Sequence, residues 1–94
     1  MEELTKSILE GAAQVIVLFY SDTCNKCHFW ETELKKIENP SIPMWKYNAG
    51  NDHEICKRYE LTNVPVLALI EDWIMVKYLD EVTPNDKVIE FFSL

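Results

Sequence analysis

The stretch Val15-Ile16-Val17-Leu18-Phe19-Tyr20-Ser21-Asp22-Thr23-Cys24-Asn25-Lys26-Cys27 decides the fold. Its first six residues form a continuous apolar run, β-branched and aromatic, which predicts a strand buried on both faces. Ser21-Asp22-Thr23 breaks that run as a loop. Beyond it Cys27, Trp30, Leu34 and Ile37 share one helical face, and Asn39-Pro40 ends the predicted helix. A strand that turns through C-x-x-C into a helix sets two thiols at the helix N-terminus. Unpaired amides and the macrodipole favour negative charge there, and the thiolate is the nucleophilic form of cysteine. Cys24, nearer the loop, is expected to be exposed and to attack a substrate disulfide. Cys27, one turn in on the inward face, is expected to be sheltered and to resolve the mixed disulfide. Lys26 adds a nearby positive charge and Asp22 opposes it.

Working outward, Leu4, Ile8 and Leu9 predict a helix over residues 2–10, closed by Gly11. Met44 to Asn48 predict a second strand. Asn51 and Glu54, three apart, resemble a capping box that opens a helix through Ile55 and Tyr59. Val66 to Ile70 read as another buried strand and Ile74 to Leu79 as a fourth, with Glu71-Asp72-Trp73 between them. Thr83 as N-cap and Pro84 at the first helical position start a last helix, with Val88, Phe91 and Phe92 inward. Strand–helix–strand implies a parallel unit and the short strand–strand link a hairpin. The expectation is an α/β three-layer sandwich: a four-stranded mixed sheet flanked by helices, as a single domain over 1–94.

Composition bounds the function. The 94 residues are 48% hydrophobic and 12% aromatic, enough for one core without staples. Nine Lys plus Arg face sixteen Asp plus Glu, a net charge of −7. Such a surface does not attract nucleic acid or anionic membrane, and Lys35-Lys36 and Lys57-Arg58 are pairs rather than basic stripes. Glu2 and Glu3 after Met1 are unlike the basic start of an export signal, and the run from Val15 is too short to span a membrane. A reducing cytosol is therefore the expected compartment, where three cysteines point to redox or metal chemistry before structural disulfides.

Val64-Pro65 stands immediately before the third strand, where a residue lacking an N–H belongs. A strand, a C-x-x-C opening a helix, then Val-Pro before a hairpin and a final helix resembles the thioredoxin superfamily, from about Val15 to the C-terminus. The resemblance implies a cis Val64-Pro65 bond beside the disulfide, with the Val64 backbone pairing with substrate as an added strand. It implies no bound cofactor beyond the Cys24–Cys27 couple, disulfide-bearing client proteins, an electron donor that is a thioredoxin-reductase-like protein or a small thiol, and a monomer. Asn25, Lys26, Tyr20 and Thr23 frame the cysteines, with Tyr20 standing where the family has tryptophan.

The departures are specific. Asn25-Lys26 replaces the usual Gly-Pro, and the chain begins too late for the family's extra first strand. Leu18 stands where many members carry a buried Asp for proton transfer, while the accompanying lysine is matched by Lys46. Glycines of the hairpin turn and the substrate groove align with Trp73 and Glu81. Glutaredoxins are the close rival, through Tyr20-Ser21-x-x-Cys24. Asp22, Asp80 and Glu81 stand where that family holds a dianionic glutathione, which disfavours the rival.

A different class, zinc binding by Cys24, Cys27, His53 and Cys56, requires helices that the predicted fold sets on opposite faces. A docking module without turnover is a third reading. His28 and His53 are expected at the surface, Cys56 as a structural thiol, and Trp30 and Trp45 as packing residues.

Overall fold

The computed structural model describes residues 1–11 and 13–94. Its elements are α1 (Lys6–Gly11), β1 (Gln14–Tyr20), α2 (Asn25–Leu34), β2 (Met44–Asn48), a 3₁₀ turn (Ala49–Asn51), α3 (His53–Arg58), β3 (Val66–Glu71), β4 (Ile74–Leu79) and α4 (Asn85–Phe92). The four strands form one sheet in the order β2-β1-β3-β4. β1 runs parallel to β2 and antiparallel to β3, and β4 is antiparallel to β3. The mixed sheet of the expected sandwich is therefore present.

The two continuous apolar strands occupy the sheet centre because both of their faces are covered. Ile16, Leu18, Leu67 and Leu69 pack with Trp30, Leu34, Val88 and Phe92 of α2 and α4. Val15, Val17, Phe19, Ala68 and Ile70 pack on the other face with Leu9 of α1 and Ile55 of α3. β4 is an edge strand with alternating exposure, and Ile74, Val76 and Tyr78 lie largely in solvent. Asp72 and Trp73 close the β3–β4 hairpin with φ of 49° and 69°, the two-residue turn whose twist suits antiparallel strands. Arg58 stacks on the Trp73 ring at 4.8 Å and the Tyr59 hydroxyl donates to its carbonyl at 3.0 Å, which together hold a bulky residue in the left-handed region. No described helix is long and apolar enough to cross a membrane.

Several boundaries differ from the sequence expectation. The first helix starts at Lys6 rather than residue 2, because residues 2–4 run extended along β2. Leu4 N donates to Lys46 O at 2.7 Å, and Lys46 N to Glu2 O at 3.0 Å, giving a single bridge rather than a strand. Satisfying the open edge of β2 outweighs the helical spacing of Leu4 with Ile8. α2 ends at Leu34, before Asn39-Pro40, and Asn39 turns the chain at φ 47°. α3 is capped by Asp52, not Asn51, since Asp52 Oδ1 accepts from Ile55 N at 3.0 Å. Pro84 rather than Thr83 is the N-cap of α4, because the Thr83 hydroxyl turns back to Glu81 O. Phe91, expected inward, is 37% exposed: on α4 the core takes Val88 and Phe92, four apart.

Candidate active site

β1 delivers the chain to the redox pair. Its last residue, Tyr20, is followed by a turn in which Cys24 N donates to Ser21 O at 3.2 Å. Cys24 is itself the N-cap of α2, in extended conformation at φ −89°, ψ 101°. Its Sγ accepts the backbone N–H of Cys27 at 3.1 Å, the place a Ser or Asp oxygen takes at an ordinary helix start. Cys24 and Cys27 are joined as a disulfide with Cα atoms 5.3 Å apart, inside the range such a bond requires. Cys24 is partly exposed while Cys27 is 1% exposed and faces the sheet. Asn25, Lys26 and Thr23 are exposed around the pair. His28 is exposed too, its Nε2 2.9 Å from Asp22 O, so it turns away from Cys27.

The sheet register brings the proline to the same end. Val66 pairs with Phe19, so Pro65, one residue earlier, stands opposite Tyr20 at the mouth of the cysteine loop. The Val64-Pro65 bond is cis, and Pro65 is buried with Val64 half-exposed beside it. Leu79 pairs with Leu67, and Leu67 with Leu18, so Asp80 and Glu81 leave the sheet at this end too, both exposed. From below, Gly50 lies against the loop: a Cβ there would come within 3.1 Å of Ser21 Cβ. Cys56 is a half-buried free thiol whose Sγ donates to Ala49 O at 3.1 Å. It lines a cleft of about 350 Å³ with Gly50 and Val64.

A polar cluster lies under α2, beside the buried cysteine. Lys46, in register with Leu18 on β2, reaches the Glu31 carboxylate of α2 at 3.2 and 3.3 Å. Its ammonium also sits 5.4 Å from the Tyr20 ring centre. The Glu31 side chain is only 12% exposed. Burial alone pushes its carboxyl upward, but the hydrogen bond and charge of Lys46, with Lys35 and the Met1 ammonium, hold it below the ordinary value. The Tyr20 hydroxyl donates to the Glu3 carboxylate, and burial together with that anion raises the phenol well above its ordinary value. Of this cluster the sequence singled out only Tyr20 and Lys46. Glu31 went unread, although it stands four residues after Cys27 on the same helix, a spacing that makes the two neighbours.

A family model described as Thioredoxin matches residues 1–93. The chain belongs to the thioredoxin family. With its C-x-x-C closed as a disulfide, it is a thiol–disulfide oxidoreductase. A thioredoxin of Mycoplasma genitalium is 24% identical over 90 residues, covering 94% of this chain and 88% of that protein. Among solved structures the fold is similar to thioredoxin f2 of Chlamydomonas reinhardtii, with TM-score 0.83, 24% identity, and 99% and 94% of the two chains covered. It is likewise similar to desulfothioredoxin of Desulfovibrio vulgaris Hildenborough in its reduced form, with TM-score 0.84, 20% identity, and 99% and 95% covered.

Lys46 lies under α2 next to Leu18, but it is bound to Glu31. The zinc alternative finds no support in the topology, because α2 packs on one sheet face and α3 on the other. Among the described residues no group of three or more His, Cys, Asp or Glu is placed to hold a metal.

Proposed function

We propose that this chain reduces disulfides of client proteins, with Cys24 as the entering nucleophile and Cys27 as the resolving thiol. The unequal exposure of the two sulfurs at the α2 N-terminus carries this reading: Cys24 is open to a partner, while Cys27 is 1% exposed. In the reduced protein the Cys24 thiolate would keep the Cys27 N–H as hydrogen-bond donor and gain the helix dipole. It attacks a client disulfide, one client sulfur leaves as thiolate, and a mixed disulfide forms. Cys27 then loses its proton and attacks Cys24 Sγ. The intramolecular disulfide closes and the second client sulfur departs, taking up a proton.

Val64 beside cis-Pro65 offers backbone to an extended client segment, and Asp22, Asp80 and Glu81 give the groove an acidic rim. That rim favours client segments with basic residues near their disulfide and disfavours glutathione. The reading includes a monomer working in a reducing cytosol, recharged by a thioredoxin-reductase-like protein or a small thiol.

The test is insulin disulfide reduction driven by dithiothreitol, run on wild type and on Cys24→Ser and Cys27→Ser. Wild type should outpace both by more than an order of magnitude. Equality with Cys24→Ser removes the catalytic reading, and strong turnover in a glutathione-linked assay removes the preference for protein disulfides.

A further inference from the structure

We propose that Glu31 is a positioning residue of the redox centre, its carboxylate fixed on Lys46 beneath α2 so that the pair sets the proton affinity of the Cys27 thiol. Cys27 must ionise where it is buried, because the Cys24–Cys27 bond forms only when its thiolate attacks Cys24 Sγ. In that step the Cys27 proton passes to solvent, the electron pair of the breaking bond leaves on the client sulfur, and the client sulfur is protonated. Fixed charges near a desolvated thiol weigh more than they would in water.

The charges are few and specific. Glu31 is one turn beyond Cys27 on the same side of α2, and Lys46 holds it from β2 at 3.2 Å. Lys35 and the Met1 ammonium approach the same carboxylate at 3.6 Å each. Tyr20 of β1, bonded to Glu3, Asp22 of the loop, and His28, whose ring lies 6.3 Å from that of Tyr20, are further titratable neighbours on this side. From β3 and α4 the apolar cluster under α2 receives Leu67, Leu69, Val88 and Phe92, and Asn85 of α4 donates to Glu33 O at 2.7 Å. Glu31 and Lys46 are thus the closest opposed charges between α2 and the sheet, and Leu18, beside Lys46 in the sheet, carries none.

The two members of the pair must act with opposite sign. Glu31→Gln keeps an oxygen for Lys46 while deleting the negative charge, which leaves the ammonium uncompensated and favours the thiolate. Lys46→Met keeps the apolar stem while deleting the nearest positive charge, which leaves the carboxylate only the longer contacts of Lys35 and the Met1 ammonium and disfavours the thiolate. A unit charge at roughly 7 Å through an effective dielectric of about 40 moves a thiol by about half to one pH unit.

The experiment titrates the ultraviolet thiolate absorbance of reduced Cys24→Ala/Cys56→Ala protein, in which Cys27 is the remaining thiol. No client is involved, so the result stands apart from the choice of physiological substrate. Adding Glu31→Gln should lower the Cys27 midpoint by about half to one unit, adding Lys46→Met should raise it by a similar amount, and the double variant should return near the parent. A midpoint unmoved by Glu31→Gln, or shifts of the same sign in both variants, overturns the proposal, since damage to packing has no reason to alternate in sign. Should Glu31→Gln fail to fold, Lys46→Met decides alone: an unmoved or lowered midpoint overturns the proposal.

Discussion

The N-termini of α2 and α3 are built alike and do different work. Each follows one of the two parallel strands, and each is capped by a side chain that accepts the backbone N–H three residues on. At α2 the acceptor is Cys24 Sγ, 3.1 Å from Cys27 N; at α3 it is Asp52 Oδ1, 3.0 Å from Ile55 N. Asp52 is a standing anion. The Tyr47 hydroxyl, then the Ile55 amide, hold its carboxyl below the ordinary 3.8, and the same contact pushes Tyr47 up to about 12. Cys24 carries no charge in the disulfide, and reduction alone gives it a thiol that can ionise. The backbone thus decides where a negative atom is welcome, and the choice of atom decides whether the charge is fixed or exchangeable.

The sharpest way to break this comparison is to swap the chemistry of one cap for the other. Cys24→Asp should lose all turnover in the insulin assay, a fall to the uncatalysed rate. It should nevertheless be more stable than Cys24→Ala by about 1 kcal/mol in urea unfolding, because it restores a cap. Equal stabilities would show that the two termini are not equivalent.

At the other end, Asp52→Ala should cost about 1 kcal/mol of stability and leave turnover unchanged. The acid response comes next. The folded carboxyl of Asp52 is lowered, so its contribution is complete above about pH 5 and fades as pH falls through the folded value. The stability gap between wild type and Asp52→Asn should therefore narrow below about pH 4. At the alkaline end Tyr47, raised from 10.0 to about 12, contributes fully below pH 10 and loses that contribution between 10 and 12. Tyr47→Phe should flatten this limb. The smallest effect belongs to Cys56→Ser: the half-buried hydroxyl can still donate to Ala49 O, so turnover should be unchanged and stability should move by about 0.5 kcal/mol or less.

What was legible in the sequence follows from the range of the forces involved. The runs from Val15 and from Val66 declare buried strands because both of their faces must be apolar, whatever covers them. Cys24 and Cys27 declare a helix start because their spacing is local, and Val64-Pro65 can open a strand but not sit within one. Caps were misplaced by a residue at Asp52 and Pro84: Asn51 offers the same hydrogen-bonding chemistry as Asp52 and only the turn geometry selects between them, while the Thr83 hydroxyl turns back to Glu81 O and leaves α4 without a side-chain cap.

The N-terminal segment was misread because its partner, the outer edge of β2, lies more than forty positions away in the chain. The largest omission, Glu31, has the same origin. On its helix it resembles any surface glutamate, and Lys46 arriving from β2, together with the Met1 ammonium, draws it inward. Phe91 shows the reverse error, an aromatic taken for core on a helix whose inward stripe was already filled by Val88 and Phe92.

The edge strand β4 gives the acidic composition a meaning of its own. Ile74, Val76 and Tyr78 stand in solvent on a strand whose outer edge has no strand neighbour among the described residues, the kind of border that copies of a protein stick together along. At neutral pH a net charge of −7 keeps those borders apart. Near the isoelectric point of about 4.7 that repulsion vanishes, and it does so before the carboxylate contributions to folding have been fully lost. Acid should therefore precipitate this protein while it is still folded, its solubility failing ahead of its structure.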